Sequence, residues 1–406
     1  MSNIYITADQ VGRPDHGGGS VTWNESEALK ALRPCEVWGR EQLEQVFRQL
    51  GGTDPWDWDT ASVLKLPLPS DEFYERAKFP TLAHFYAGCF TKTVGRLREK
   101  GTKVCYTAAA HDIAASRKAH EELGIPYDYP HLTDPVLWKR YVRGYLEADV
   151  LVCPSTHSAN VMRGFGAKNR IEIIPHGVDL PKCGRCEGSG KAHGADRPFE
   201  WAGPGSYPGS CPLCGGTCVA SIAPLPSRFT VGYLGAVGPD KGLIDLLRAW
   251  RNLQCPDAEL VLAGGQSNSG FVQSLINHVN NEQKRGFTGP PIRLMGWVEN
   301  VSDFYNQISL YVQPSRSEGF GIEVLEAMAH GRPVLCSTGA GAADLVPAWY
   351  RFPAGNAAVL ADLIDQVHLR GGCAGTGYPD WRGIAAAHTW DKIRQRYQSL
   401  WRDVLK

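Results

Sequence analysis

No window of 18 apolar residues occurs in the 406-residue chain, and no basic stretch followed by an apolar one opens it. Both absences argue against a membrane-spanning helix and a secretory leader, so a cytoplasmic protein is expected. Net charge is also missing: 42 basic side chains balance 42 acidic ones. A protein that grips duplex nucleic acid by neutralising many phosphates would not be so balanced. Cysteine, at 12 residues, is too sparse for a disulfide scaffold. What remains is an ordinary globular composition, 43% hydrophobic and 21% charged, which rules out global disorder. The length suggests two or three domains.

Apolar runs alternate with helical stretches. Residues 4–10, 103–108, 150–155 and 171–175 are strand-like, with helical candidates at 81–100 and 136–149. The second half repeats the scheme, with strand-like runs at 229–237, 258–265, 292–298, 310–315 and 333–337. Strands that are apolar throughout, rather than in alternation, fit parallel sheets covered on both faces. The pattern predicts an α/β protein of two doubly wound, Rossmann-like domains facing a cleft. The first spans 1–179 and the second 228–387. Between them, 180–227 is rich in Gly, Pro, Ser and Cys and has neither helical nor strand periodicity. At the end, Trp390, Ile393, Tyr397, Leu400, Trp401 and Val404 make a helical apolar stripe. Residues 388–406 are therefore expected to pack as a helix across both domains.

The most specific stretch is PSRSEGFGIEVLEAMAHGRPV, residues 314–334. It reads as a strand end, a Gly-rich loop, a short helix closed by Gly331, and a new strand. A Gly-flanked loop opening a helix suits an anion, because free N–H groups and the helix dipole both favour negative charge. Glu318 precedes this helix and Glu326 lies inside it, so both carboxylates can point into one cleft and accept hydrogen bonds from sugar hydroxyls. The plainer alternative makes them solvent-facing helix and cap residues.

The pattern resembles the E-x7-E signature of retaining GT-B glycosyltransferases of the family 4 type, within P-S-x-x-E-G-F-G…L-E-A-M-A-x-G-x-P-V. GYLGAVGPDKG (232–242), IRLMGWVENVSDFY (292–305), the 147–179 stretch and the terminal 389–405 stretch are similar to other parts of that family. The resemblance implies a GT-B fold and transfer of a hexose from a nucleotide-diphosphate sugar, a UDP- or GDP-hexose, with retention of configuration. It implies roles as well. Glu326 would bind the donor ribose and Glu318 the transferred sugar. Lys241, near Gly235, would pair with the diphosphate. Gly319, Phe320, Gly321 and Ile322 would form the loop and helix start around it, and Gly296 to Val298 would bracket the base. Gly17, Gly18 and Gly19 would form a glycine-rich loop facing donor and acceptor. His111 would contact the transferred sugar, with Asp112 as a weaker candidate. No catalytic divalent metal is expected.

One position departs from the family. Its Arg, five residues before the Lys, is here Ala236, so one cation on the leaving diphosphate is missing. Either donor binding is weaker or another Arg replaces it, and Arg13 or Arg316 is the expected substitute.

Cys183 and Cys186, with Cys211 and Cys214, are two C-x-x-C pairs that can supply four thiolates to one structural Zn²⁺. Cys218 and His193 are spare ligands. The acceptor is left open among a saccharide, a small molecule and a modified nucleobase of DNA. Two other readings compete. One is a sugar-nucleotide-binding protein weakened in catalysis. The other is a zinc-dependent nucleic-acid-binding module on an α/β scaffold.

Overall fold

The computed structural model describes residues 3–7, 17–32, 35–38, 81–86, 91–110, 112–127, 135–182, 220, 222–265, 269–282, 290–371 and 378–406. In chain order the first half runs β1 (Asn3–Thr7), α1 (Gly17–Leu32), β2 (Cys35–Trp38), β3 (Leu82–Tyr86), α2 (Thr91–Glu99), β4 (Lys103–Thr107), α3 (Ile113–Glu122), α4 (Pro135–Glu147), β5 (Val150–Cys153), α5 (Thr156–Gly164) and β6 (Arg170–Ile173). The second half runs β7 (Thr230–Leu234), α6 (Leu243–Arg251), β8 (Glu259–Ala263), α7 (Gly270–Glu282), β9 (Ile292–Gly296), α8 (Val301–Tyr305), β10 (Leu310–Gln313), α9 (Ile322–Ala329), β11 (Val334–Ser337), β12 (Arg351–Phe352), α10 (Ala357–Leu369), α11 (Trp381–Ala386) and α12 (Trp390–Val404).

The strands form two sheets, ordered β2-β1-β3-β4-β5-β6 and β12-β11-β10-β7-β8-β9, with parallel pairing throughout. Every residue of β3, β5, β7, β10 and β11 is buried. That explains their unbroken apolar runs: helices cover both faces. The pair β3 and α2 corrects the expectation of one helix over 81–100. LAHFY is a short, wholly buried strand, and a continuous apolar run cannot be told from a buried helix by period.

In the second sheet the chain starts at β7, winds outward through β8 and β9, then returns to the other side of β7 with β10. The order therefore reverses between β7 and β10. In such sheets ligands bind beyond the carboxyl ends of the strands at this reversal. Gly232 allows the neighbouring packing, because a Cβ there would sit 2.6 Å from Ile308 Cγ2.

Helix α12 returns from the second half to the first. Its buried face is Trp390, Ile393, Tyr397, Leu400 and Trp401. These side chains join Val21, Ala28, Leu29, Leu82 and Cys105 in one apolar cluster. A polar thread runs through that cluster. Trp401 Nε1 donates to His84 Nδ1 at 3.2 Å, which leaves the proton on Nε2, 2.9 Å from Thr107 Oγ1. Thr107 Oγ1 donates to Glu25 at 3.0 Å, and Tyr397 Oη donates to the same carboxylate. Such a network is satisfied only when α12 lies in one register on α1 and β3.

Candidate active site

The loops leaving β7 and β10 meet at the reversal point. Gly242 has φ +68°, and a Cβ on it would fall 2.0 Å from Pro314 O, so only glycine fits. Arg316 N donates to Asp240 O at 2.7 Å. Tyr233 Oη donates to Ala236 O at 2.6 Å and shapes the first loop. Tyr311 Oη reaches Gln313 at 2.6 Å, and Gln313 Nε2 donates to Ser315 Oγ at 2.9 Å, which holds the second loop. The Gly-rich stretch then pairs with the loop after β11. Glu318 N donates to Gly339 O at 2.9 Å and Gly341 N to Glu318 O at 3.0 Å.

Helix α9 begins at Ile322. Its N-cap is Gly321, at φ 91° and without a side chain to bond the first amides. An uncapped helix start at a sheet reversal is a ready anion site. Around it stand Lys241, Glu318, Glu323 and Glu326. Lys241 Nζ is ion-paired with Glu318 Oε2, both side chains being largely buried. Burial would lower the lysine, but Glu318 and Glu323 outweigh it and hold the ammonium above its usual range. Tyr305 Oη donates to Glu326 Oε2 at 2.9 Å. Burial raises the Glu326 carboxyl and this bond partly offsets the rise. Glu318 and Glu326 are thus not solvent-facing residues. Glu323 occupies the first turn of α9, with Oε1 3.7 Å from where a Cβ of Gly235 would be. Burial first, then Glu318, push its carboxyl up to about 7.

Gly319 and Phe320 face the seam between the two halves. A Cβ on Gly319 would lie 2.9 Å from Ala109 C and O. Its carbonyl accepts from Ser155 Oγ at 2.9 Å and Ser158 Oγ at 3.0 Å. The Phe320 ring meets buried His176 edge-on at 5.0 Å, and burial drops that imidazole to about 4. Thr156 N donates to Asp344 Oδ2 at 2.7 Å across the same seam. A charged bridge lies further out: Glu122 of α3 meets Arg248 and Arg316, each at 2.5 Å.

Arg316 does not stand in for the cation missing at Ala236. Its Nε and Nη2 bind Asp245 at 2.6 Å each, and Nη1 goes to Glu122. Arg13 lies outside the described residues, as does His111. Asp112 caps α3, accepting from Ala114 N at 2.9 Å and Ala115 N at 3.1 Å. Gly17, Gly18 and Gly19 form the first turn of α1 instead of a loop. Gly296, at φ +73°, ends β9, and Gly264 N donates to its carbonyl at 2.8 Å. Val298 packs on the apolar core of the second half, formed by Val231, Leu247, Leu262 and Val312 among others, while Trp297 between them is 63% exposed.

Cys183, Cys186, Cys211 and Cys214 lie outside the described residues, with Cys218 and His193. Among the described residues no group of three or more His, Cys, Asp or Glu is placed to hold a metal. None of the described helices is long and apolar enough to cross a membrane.

Sequence reading did not single out Tyr305, Glu323, His176, Ser155 and Ser158. Only Glu323 carried a signal, as a third acid inside the motif. The others join the site through tertiary contacts.

Two Rossmann-like domains meeting over a cleft, with a helix start at the reversal of the second sheet, define the GT-B class of fold. The chain is related to known glycosyltransferases. Residues 66–182 match the family model described as Glycosyltransferase Family 4, and residues 228–368 the one described as Glycosyl transferases group 1. A lipopolysaccharide core biosynthesis mannosyltransferase of Rhizobium leguminosarum bv. viciae is 31% identical over 30% of this chain and 35% of its own length. A D-inositol 3-phosphate glycosyltransferase of Rhodococcus jostii is 28% identical over 47% of this chain and 38% of its own. The matched part is therefore well under half of these relatives' length. Among solved structures, sucrose-phosphate synthase from Thermosynechococcus elongatus superposes with a TM-score of 0.68 at 18% identity, covering 100% of this chain and 99% of that one. Anabaena HepE in complex with UDP-glucose gives 0.62 at 16%, covering 99% of each.

Proposed function

We propose that the protein transfers a hexose from a nucleotide-diphosphate sugar to a hydroxyl of a saccharide or small molecule, with retention of anomeric configuration. The observation that carries this reading is the uncapped start of α9 at the sheet reversal, with Lys241, Glu318 and Glu326 gathered around it. The matched family models and the nucleotide sugar in the HepE structure support it.

In this reading the donor diphosphate lies on the amides of Gly321 and Ile322. Lys241 leaves Glu318 for the phosphate, and Glu318 turns to the hydroxyls of the transferred sugar. Glu326, held by Tyr305, accepts the ribose hydroxyls. The Gly235 turn gives the diphosphate a close backbone approach, and Gly296 to Val298 border the base. Gly319 and Phe320 set the loop against the first domain, and His111 and the Gly17–Gly19 turn serve the sugar side. In the reaction the bond between the anomeric carbon and the phosphate oxygen breaks. The acceptor oxygen bonds to that carbon on the same face. The acceptor proton passes to the leaving phosphate oxygen. Charge developing on that oxygen is met by Lys241 and the helix start.

Incubation with UDP-, GDP- and ADP-hexoses and candidate acceptors, followed by mass spectrometry, tests the reading. It predicts a glycosylated product with one nucleotide and loss of turnover in Lys241→Ala. No hexose released or transferred from any donor would reject it in favour of a binding protein. Ala236 and Glu323 give that second reading its footing, since both make the cradle less cationic. We also propose a structural Zn²⁺ on Cys183, Cys186, Cys211 and Cys214, because two C-x-x-C thiol pairs are a zinc donor set.

A further inference from the structure

A cavity of about 150 Å³ lies at the C-terminal end of α9, the end away from Gly321. Lys182, Ala223, Ser302, Asn306, His330 and Arg382 are among the residues lining it. Among the described residues its charged lining is cationic, with Lys182 and Arg382 and no carboxylate. Asp179, which is not part of the lining, has its carboxyl pushed up mainly by burial, with Arg394 and then Lys182 pulling it down.

Arg332 stands directly behind this wall. It is completely buried, and Nη2 donates to the carbonyl of Ala223 at 2.9 Å. Its Nε and Nη1 have no hydrogen-bond partner among the described residues. A buried guanidinium without a counter-charge is strongly unfavourable. Capping of α9 does not account for these cations, because the backbone already closes that helix. Gly331 N donates to Met328 O and Arg332 N to Ala327 O, both at 2.9 Å. Among the described residues both guanidiniums meet only carbonyls, Arg382 Nη2 donating to Ala220 O as Arg332 Nη2 does to Ala223 O, and the cavity lies beside them without a carboxylate among the described residues that line it. Ser302 Oγ, 2.9 Å from His330 Nε2, and the Asn306 amide add polar groups to the wall.

We propose that this cavity is a second ligand site, for a phosphate group, either free or as the monoester of a small metabolite. Lys182 and Arg382 bind the oxygens, with Ser302 and Asn306 at the sides. The anion supplies the counter-charge that Arg332 lacks. The site is separate from the nucleotide cradle and does not depend on the proposed reaction. It shares a wall with it, because the His330 ring stacks on Tyr305 at 4.8 Å and Tyr305 holds Glu326.

The test titrates the melting temperature of the full chain with inorganic phosphate and with glycerol 3-phosphate, at ionic strength fixed by sodium chloride. Wild type, Lys241→Ala and the double variant Lys182→Gln/Arg382→Gln are compared. The expected result is a saturable rise in wild type and in Lys241→Ala, with apparent affinity at least about tenfold weaker in the double variant. A stronger response to glycerol 3-phosphate identifies an ester as the ligand class, and an equal one identifies the free anion. No rise in wild type, an undiminished rise in the double variant, or a rise abolished by Lys241→Ala overturns the proposal. Should the double variant fail to fold, Asn306→Trp at the exposed rim blocks the cavity instead. Phosphate binding lost there supports the site, and binding retained overturns it.

Discussion

Tyr305 Oη donates to Glu326 Oε2 at 2.9 Å and also to the carbonyl of Glu323 at 3.2 Å, so one buried phenol fixes the carboxylate assigned to the donor ribose. Tyr305→Phe keeps the ring against His330 and removes the hydroxyl's bonds to Glu326 and to the Glu323 carbonyl. Nucleotide affinity is expected to fall by about tenfold, the worth of one hydrogen bond to a charged group. Glu326→Ala should cost more. Calorimetry with the nucleoside diphosphate that stabilises the protein checks both. Equal affinity in all three proteins would remove Glu326 from the site.

Lys241 and Glu318 neutralise each other in the structure, and the proposed function has the lysine leave for the donor phosphate. Lys241→Ala removes the phosphate partner and leaves a carboxylate beside the anion. Donor affinity is expected to fall by about a hundredfold, since charge-assisted bonds are the strong ones. Glu318→Gln frees the lysine, so it should bind the nucleotide diphosphate at least as well as wild type while losing turnover. Binding and initial-rate measurements on the same preparations separate the two effects.

Glu323 brings pH dependence. Burial and Glu318 raise its folded carboxyl to about 7 from an ordinary 4.5. A raised acid stabilises the fold least once ionised, so its contribution is lost as pH climbs from about 4.5 through about 7. Glu323→Gln should therefore melt higher than wild type at pH 8 and alike at pH 4. The same charge opposes a diphosphate, so wild-type nucleotide affinity should decline above pH 7 and that of the variant should stay flatter. Parallel pH profiles would show that Glu323 does not face the cradle.

Much of this was legible in the sequence because parallel α/β folds write themselves as apolar runs and glycine turns. The 314–334 stretch fixed the helix start, its two acids and the Gly331 closure without tertiary information. The strand at Leu82–Tyr86 was not legible, since five buried residues carry no period. Arg316 looked free in one dimension. Its commitment to Asp245 and Glu122 depends on α6 and α3 arriving from elsewhere in the chain. Tyr305 and His176 were hidden for the same reason: an aromatic ring in a core-like run gives no sign of which carboxylate or loop it will touch.

The seam has its own test. Arg316, then Arg248, holds the Glu122 carboxyl down to about 2, so the bridge is present above an ordinary 4.5 and is lost only as pH falls toward about 2. Glu122→Gln should loosen the two domains at neutral pH, seen as faster amide exchange in α3. The difference from wild type should vanish in strong acid. A variant with unchanged exchange at pH 7 would assign closure to the other seam contacts, Ser155 and Ser158 on Gly319, Thr156 on Asp344 and Phe320 on His176.

Metal analysis of the purified chain should find one zinc per molecule. Cys183→Ser/Cys186→Ser should lose it. A metal-free wild type prepared without chelator would discard the zinc assignment.

The most direct measurement is a crystal structure with bound nucleoside diphosphate. The account predicts phosphates on the amides of Gly321 and Ile322, Lys241 swung from Glu318 onto them, and the ribose on Glu326. A nucleotide bound elsewhere, with the Lys241–Glu318 pair intact and Glu326 untouched, would contradict it.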